Sequence, residues 1–250
     1  MSKQEEINLE GKQILVAGGD GGVGSALVKA LDEEGAECIL TSHAKNYDGS
    51  HTHFYCDFTD EKSILQLGRK IKDKYGTIDG LIHAAGIGIY KPAEELTNDD
   101  WNNTMAINVD APFILTRELI PLMKYSKLAV VLAMGSGAGI FPMKRRVAYC
   151  TSKFALRGLM LTFAEEFKDH RPHFVLMTFG SILTGFGPMT IKEKQERNKD
   201  GHAYFTPEWA AKKMVRIIRD PNREVEYKLF PEDYGFGQWR KKDQKRLRAK

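Results

Sequence analysis

Cysteine is scarce in this chain and carries no pattern: Cys38, Cys56 and Cys150 are odd in number and show no CxxC spacing. That argues against a disulfide framework or a cysteine-rich zinc site, and no metal is expected; it fits a reducing, cytoplasmic setting. Long apolar runs are missing as well. None approaches the ~20 residues a membrane span needs, and the polar start Met1-Ser2-Lys3-Gln4-Glu5-Glu6 is unlike a signal peptide, so no membrane partner is expected. Charge of one sign is also lacking. The 37 basic and 33 acidic residues nearly cancel, to +4, which is no nucleic-acid signature. The exception is 240–250, a basic C-terminal tail with seven basic residues and one acid, of the kind that is usually solvated. No break in composition marks a linker, so residues 1–239 read as a single domain.

What is present is alternation. Gln13-Ile14-Leu15-Val16-Ala17 is a short apolar run that stops at glycines, after which Val23, Ala26, Leu27, Ala30 and Leu31 recur at helical spacing. Further apolar runs follow at Cys38-Ile39-Leu40, Phe54-Tyr55-Cys56, Leu81-Ile82-His83-Ala84, Leu128 to Ala133, Phe174 to Met177 and Val225 to Leu229. Helical spacing intervenes at Ile64, Leu67 and Ile71, across 98–123, across 148–168, and at Ala210, Met214, Ile217 and Ile218. The near absence of polar residues in the fifth run is what a strand covered on both faces looks like. Repeated βα units predict an α/β fold: a doubly wound parallel sheet of about seven strands with helices on both faces. The charged stretch 192–201 reads as a surface loop or lid, part of a substrate loop at about 185–205.

Two local patterns carry chemistry. Gly18-Gly19-Asp20-Gly21-Gly22-Val23-Gly24 fits both GxGxxG and Gx3GxG between a strand and a helix, where backbone N–H groups and the helix dipole face a pyrophosphate. Tyr149 and Lys153 are four apart on one helical face. An ordinary phenol titrates near ~10, and a neighbouring cation would favour its ionised form. At the end of the second strand, where an acid would accept the ribose 2′-hydroxyl, the chain reads Ser42-His43-Ala44-Lys45. Ser42, His43 and Lys45 suit a 2′-phosphate, so NADP(H) is expected in preference to NAD(H).

Together, Gly18-x3-Gly22-x-Gly24, His83-Ala84-Ala85-Gly86, Asn108, Ser136 and Tyr149-x3-Lys153 resemble the short-chain dehydrogenase/reductase family, from about residue 9 to about 219. The resemblance implies a Rossmann-type fold and an oxidoreductase that interconverts a carbonyl and an alcohol. Ser136 would bond the carbonyl oxygen, Tyr149 would give or take its proton, Lys153 would tune Tyr149 and hold the nicotinamide ribose, and Asn108 would keep a relay water. It also implies cofactor contacts from Gly18, Asp20, Gly21, Gly22, Val23 and Gly24, from Asp57 and Phe58, from Ala84, Ala85 and Gly86, and from Gly180, Ile182 and Thr184. A homodimer through the helices near 98–123 and 148–168 is the family expectation, with a tetramer as the other form. Ala17, His83-Ala84 and Phe179 depart from the residues usual in the family. Met143-Lys144-Arg145-Arg146 puts three cations near the expected rim, which would suit an acidic substrate. The other reading is a non-catalytic NADP-binding regulator or scaffold on the same fold.

Overall fold

A computed structural model describes residues 5–237. Its seven strands are β1 (Gln13–Ala17), β2 (Glu37–Ser42), β3 (Thr52–Tyr55), β4 (Gly80–His83), β5 (Val130–Ser136), β6 (His173–Phe179) and β7 (Glu226–Leu229). They form one parallel sheet in the order β3-β2-β1-β4-β5-β6-β7. The order reverses between β1 and β4, and the crevice beyond the carboxyl ends of strands at such a point is where ligands of open α/β sheets bind.

Alternation along the strands builds two cores. Ile14 and Val16 point to one face with Val130 and Leu132, beneath α1 (Gly24–Asp32) and α7 (Pro207–Arg219) through Leu27, Leu31, Met214 and Ile218. Leu15 and Ala17 point to the other face with Val131 and Ala133. There they meet α2 (Glu61–Lys74), α4 (Ala111–Met123) and α5 (Val147–Glu166) through Ile64, Leu67, Leu115, Leu119, Leu156 and Met160. Each fully buried Leu or Ile contributes roughly 1.5–3 kcal/mol, an upper figure given a compact unfolded chain.

Polar side chains set the helix starts. Asp60 accepts from the Lys62 amide at α2, and Thr206 from Trp209 at α7, where Pro207 fills the first turn. The stretch expected to be helical over 98–123 is α3 (Asn98–Met105), a π-helical turn over Ala106–Asp110 and then α4. One expectation is corrected. Residues 192–201 are not a loop: α6 (Ile191–Lys199) starts from a capping box in which Thr190 and Glu193 bond each other's backbone amides. The basic tail at 240–250 lies outside the described residues. Among those residues no helix is long and apolar enough to cross a membrane, and no cluster of three or more His, Cys, Asp or Glu could hold a metal ion.

Candidate active site

A cleft of about 1490 Å³ runs along the carboxyl edge of the sheet. Small-molecule pockets usually hold ~300–1,000 Å³, so it has room for a dinucleotide and a second ligand together. One end is the turn between β1 and α1. It is tied by Gly18 N–H to Thr41 O (2.7 Å) and Gly21 N–H to Gly18 O (3.1 Å). A Cβ on Gly24 would lie 2.0 Å from the Gly18 carbonyl oxygen, so only glycine closes this turn. α1 has no side-chain N-cap, unlike α2, α6 and α7, so no side chain occupies its N-terminus, although the Ser25 amide is already bonded to Gly21 O (2.8 Å). The cradle therefore fits a pyrophosphate. The departures at Ala17 and His83-Ala84 are absorbed by backbone: the Ala84 and Ala85 amides both donate to Ala17 O, at 2.9 and 2.8 Å. His83 instead pairs with Thr116 Oγ1 at 2.8 Å, and burial lowers its pKa to about 3.

Gly18, Asp20, Gly21, Gly22, Val23 and Gly24 line this end, with Ser42, His43, Asp57 and Phe58. Lys45 does not line the cleft and is exposed. Ser42 Oγ accepts from the Ala44 amide (3.2 Å) and pairs with His53 Nε2 (3.0 Å), bending the chain just before Lys45. The Ser42 hydroxyl is thus already engaged within the protein. The Asp57 carboxyl is held below the usual range by the Thr59 hydroxyl and amide.

The other end gathers residues from three separated segments. Ser136 finishes β5, and its Oγ accepts from the Ala138 amide at 3.1 Å. The short turn Gly137–Gly139 then packs against α5 so closely that a Cβ on Gly139 would lie 2.6 Å from Lys153 O. That close approach brings Ser136 near enough to the Tyr149 phenol for its hydroxyl to favour the ionised form. Tyr149 is 6% exposed, and its pKa is driven well above the usual phenol range by burial and by Tyr90 beside it. The Ser136 hydroxyl and the charge of Arg146 act the other way. Lys153 is also buried, and burial lowers its pKa to about 8. Its Nζ donates to Met134 O at 2.9 Å.

Asn108 sits in the π-helical turn rather than on the cleft wall. Its Oδ1 accepts from the Ile87 amide, and its Nδ2 donates to Ile87 O and Ser152 Oγ, all at 2.9 Å. It therefore fixes the irregular segment after β4 against α5, next to Lys153. Ala84, Ala85, Gly86, Gly180, Ile182 and Thr184 all line the cleft. Of the three rim cations Lys144 and Arg146 line it, and Arg145 does not.

Sequence reading missed Tyr90, Phe186, Lys194 and Arg197, which line the cleft near Tyr149 or on α6. Lys194 is buried and donates to Thr184 O (2.7 Å) and Phe186 O (2.6 Å), pinning α6 to the segment after β6.

A family model for short chain dehydrogenases matches residues 12–196. D-threitol dehydrogenase of Mycolicibacterium smegmatis is 32% identical over 178 residues, which is 66% of this chain and 68% of that protein. Among solved structures, 4-hydroxyisoleucine dehydrogenase complexed with NADH superposes with a TM-score of 0.80 at 24% identity, covering 91% of this chain and 98% of that one. A short chain dehydrogenase from Burkholderia cenocepacia in complex with NADP gives 0.79 at 20% identity, covering 90% and 98%.

Proposed function

This chain belongs to the short-chain dehydrogenase family and is an oxidoreductase; from that premise we propose that it interconverts a carbonyl and an alcohol with NADP(H), using Tyr149 as general acid and base. The observation that carries this reading is the convergence on one cleft of Ser136 from the end of β5 with Tyr149 and Lys153, both buried on α5. When bound, the nicotinamide cofactor supplies or takes up the hydride.

The chain's own residues handle the proton. Ser136 accepts from Ala138, so its single O–H is left to turn to a substrate oxygen or, with the phenol ionised, to Tyr149. Tyr149 is held protonated at neutral pH by burial, which is the form needed to deliver a proton to that oxygen as an alcohol forms. In the opposite direction the phenol must be deprotonated, and Ser136 and Arg146 are the groups that ease this. Lys153, with its pKa near 8, is mostly a cation at neutrality and can exchange the Met134 carbonyl for ribose hydroxyls. Asn108 secures Ile87 and Ser152 around it, as the inner end of a relay.

Preference for the 2′-phosphate form is supported by the absence of a carboxylate at the end of β2 and by His43 lining the cleft there. A homodimer is supported by Phe113 and Phe154, which leave 39% and 43% of their surface exposed on α4 and α5. Three free, buried cysteines suit a cytoplasmic setting.

The test is NADPH oxidation against a panel of ketones, aldehydes, keto sugars and oxoacyl thioesters. Tyr149→Phe should reduce kcat roughly 10²–10⁴-fold while NADPH binding persists. A variant as fast as the parent would sink the mechanism.

A further inference from the structure

Among the described residues, the cleft wall around Tyr149 carries cations and aromatic rings but no carboxylate. Tyr149 packs between Tyr90 and Phe186, with ring centroids 5.6 Å away on each side. The Arg146 guanidinium lies 4.1 Å over the Tyr90 ring. Among the described residues its Nη1 meets the Met143 thioether, at 2.9 Å, and sulfur is a weak acceptor. Arg197, on α6, is in a similar position: Nη1 is 3.2 Å from Met189 Sδ and Nη2 is 2.7 Å from His202 Nε2. The arginines that pair with carboxylates in the described residues are Arg117, Arg157 and Arg219, and Arg157 does so with both oxygens of Glu226, at 2.7 and 2.9 Å.

Two guanidinium groups therefore line a ligand cleft against sulfur and imidazole, with no carboxylate partner among the described residues. Lys144 adds a third cation to the same wall. The carboxylates lining the cleft are Asp20 in the glycine turn and Asp57 just past β3, both away from Tyr149. An arginine stacked on an aromatic ring still presents N–H donors at its edge, in the fork that matches carboxylate and phosphate oxygens. Between the cations the wall is apolar: Tyr90, Phe186, Met143 and Met189.

We propose that the carbonyl substrate carries an anionic group, a carboxylate or phosphate, separated from its carbonyl by an apolar stretch, with Arg146 as the principal anchor and Arg197 assisting from α6. This rests on Tyr149 as the proton donor, and it adds what Tyr149 alone leaves open: the chemical class of the molecule reduced.

Matched pairs test it by binding, independently of turnover. Levulinate and methyl levulinate differ by the charge of the carboxyl group and one methyl, and dihydroxyacetone phosphate and dihydroxyacetone by the phosphate itself. Calorimetry on the Tyr149→Phe protein with NADP should show at least one acid bound roughly 10–100-fold more tightly than its neutral partner, the span expected of a charge-assisted bond. The arm that discriminates identifies the anion. Arg146→Gln should remove most of that ratio, Arg146→Lys should restore part of it, and Arg197→Ala should trim it by a smaller factor. The ratio compares two ligands on one protein, so a general loosening of Tyr90 would not produce the pattern. Equal affinities within both pairs, or a ratio untouched by Arg146→Gln combined with Arg197→Ala, would overturn the proposal. A ratio that follows Arg146 in a protein that turns over no ketone would instead count against carbonyl reduction and leave the anion site standing.

Discussion

At the glycine turn the chain is held by its own backbone, whereas on the α6 side of the cleft side-chain tethers add to the backbone bonds between Phe205 and Ser181 and Leu183. The first end depends on amide-to-carbonyl bonds among Gly18, Gly21, Thr41, Ala17, Ala84 and Ala85. The second depends on Lys194 reaching two carbonyls, on the Thr190–Glu193 box and on the Arg197–His202 contact. Backbone geometry fixes a site without regard to which side chains lie outside it, provided the glycines stay. A side-chain tether can be exchanged residue by residue without disturbing the sheet. The common cofactor chemistry of a family thus belongs at the first end, and the individual substrate at the second.

The contrast breaks first at Gly24. Gly24→Val would drive a side chain into the Gly18 carbonyl, 2.0 Å from the added Cβ. NADP(H) affinity should fall by at least about tenfold with a lowered Tm, since backbone strain cannot be relieved by a rotamer change. Calorimetric binding close to wild type would show that the turn is more plastic than its bonds imply.

Lys153→Met should cost about 10²-fold or more in kcat and yet stabilise the ligand-free protein. Folded Lys153 has a pKa near 8 against an ordinary 10.5. Below 8 both states carry the proton and the folded chain bears the whole cost of burying a charge. Between 8 and 10.5 the unfolded chain keeps a proton the folded chain has released, so stability rises with pH. At pH 7 the variant should therefore be the more stable by about 1–3 kcal/mol, and the gap should close as pH rises through that window. Urea unfolding at several pH values checks it, and parallel profiles for the two proteins would refute it.

Legibility in the sequence follows the same division. The glycine turn, the apolar strands and the Tyr149–Lys153 face were readable because local spacing determines them. α6 was not, because its residues are polar on nearly every side and show no apolar period; the capping box at Thr190 and Glu193 was the signal to use. Nothing local separates Lys194 from Lys192 or Lys199, since its burial comes from carbonyls contributed after β6. Tyr90 stands in an irregular segment, and its contact with Tyr149 is tertiary. Arg145 shows the limit of counting charges along a chain: it has a φ of 60° and does not line the cleft, while its neighbours on both sides do.

Lys194→Met tests whether the two ends are independent. It removes the donor to Thr184 O and Phe186 O while keeping most of the side-chain volume. Leaving two carbonyls unmet should cost roughly 1–3 kcal/mol, read as a lower Tm. KM should rise severalfold with kcat nearly unchanged, because Tyr149 and Ser136 lie on other elements. A loss of NADP(H) affinity as large as the rise in KM would mean that α6 serves both ends.

The smallest effect is expected at His43, at the backbone-held end but projecting from it. β2 ends without a carboxylate, and His43 is exposed on the cleft wall. An exposed group interacting across water is worth little, typically under about 1 kcal/mol. His43→Ala should therefore lower the ratio of NADPH to NADH affinity only about two- to fivefold, and high salt should shrink the difference further. Ser42→Asp is the sharper companion, since it sets a carboxylate at the position a 2′-phosphate would approach and should invert the preference. If His43→Ala leaves the ratio unchanged while Ser42→Asp inverts it, discrimination lies in the absence of an acid rather than in any cation supplied. If neither moves it, the 2′ position is not read at the end of β2.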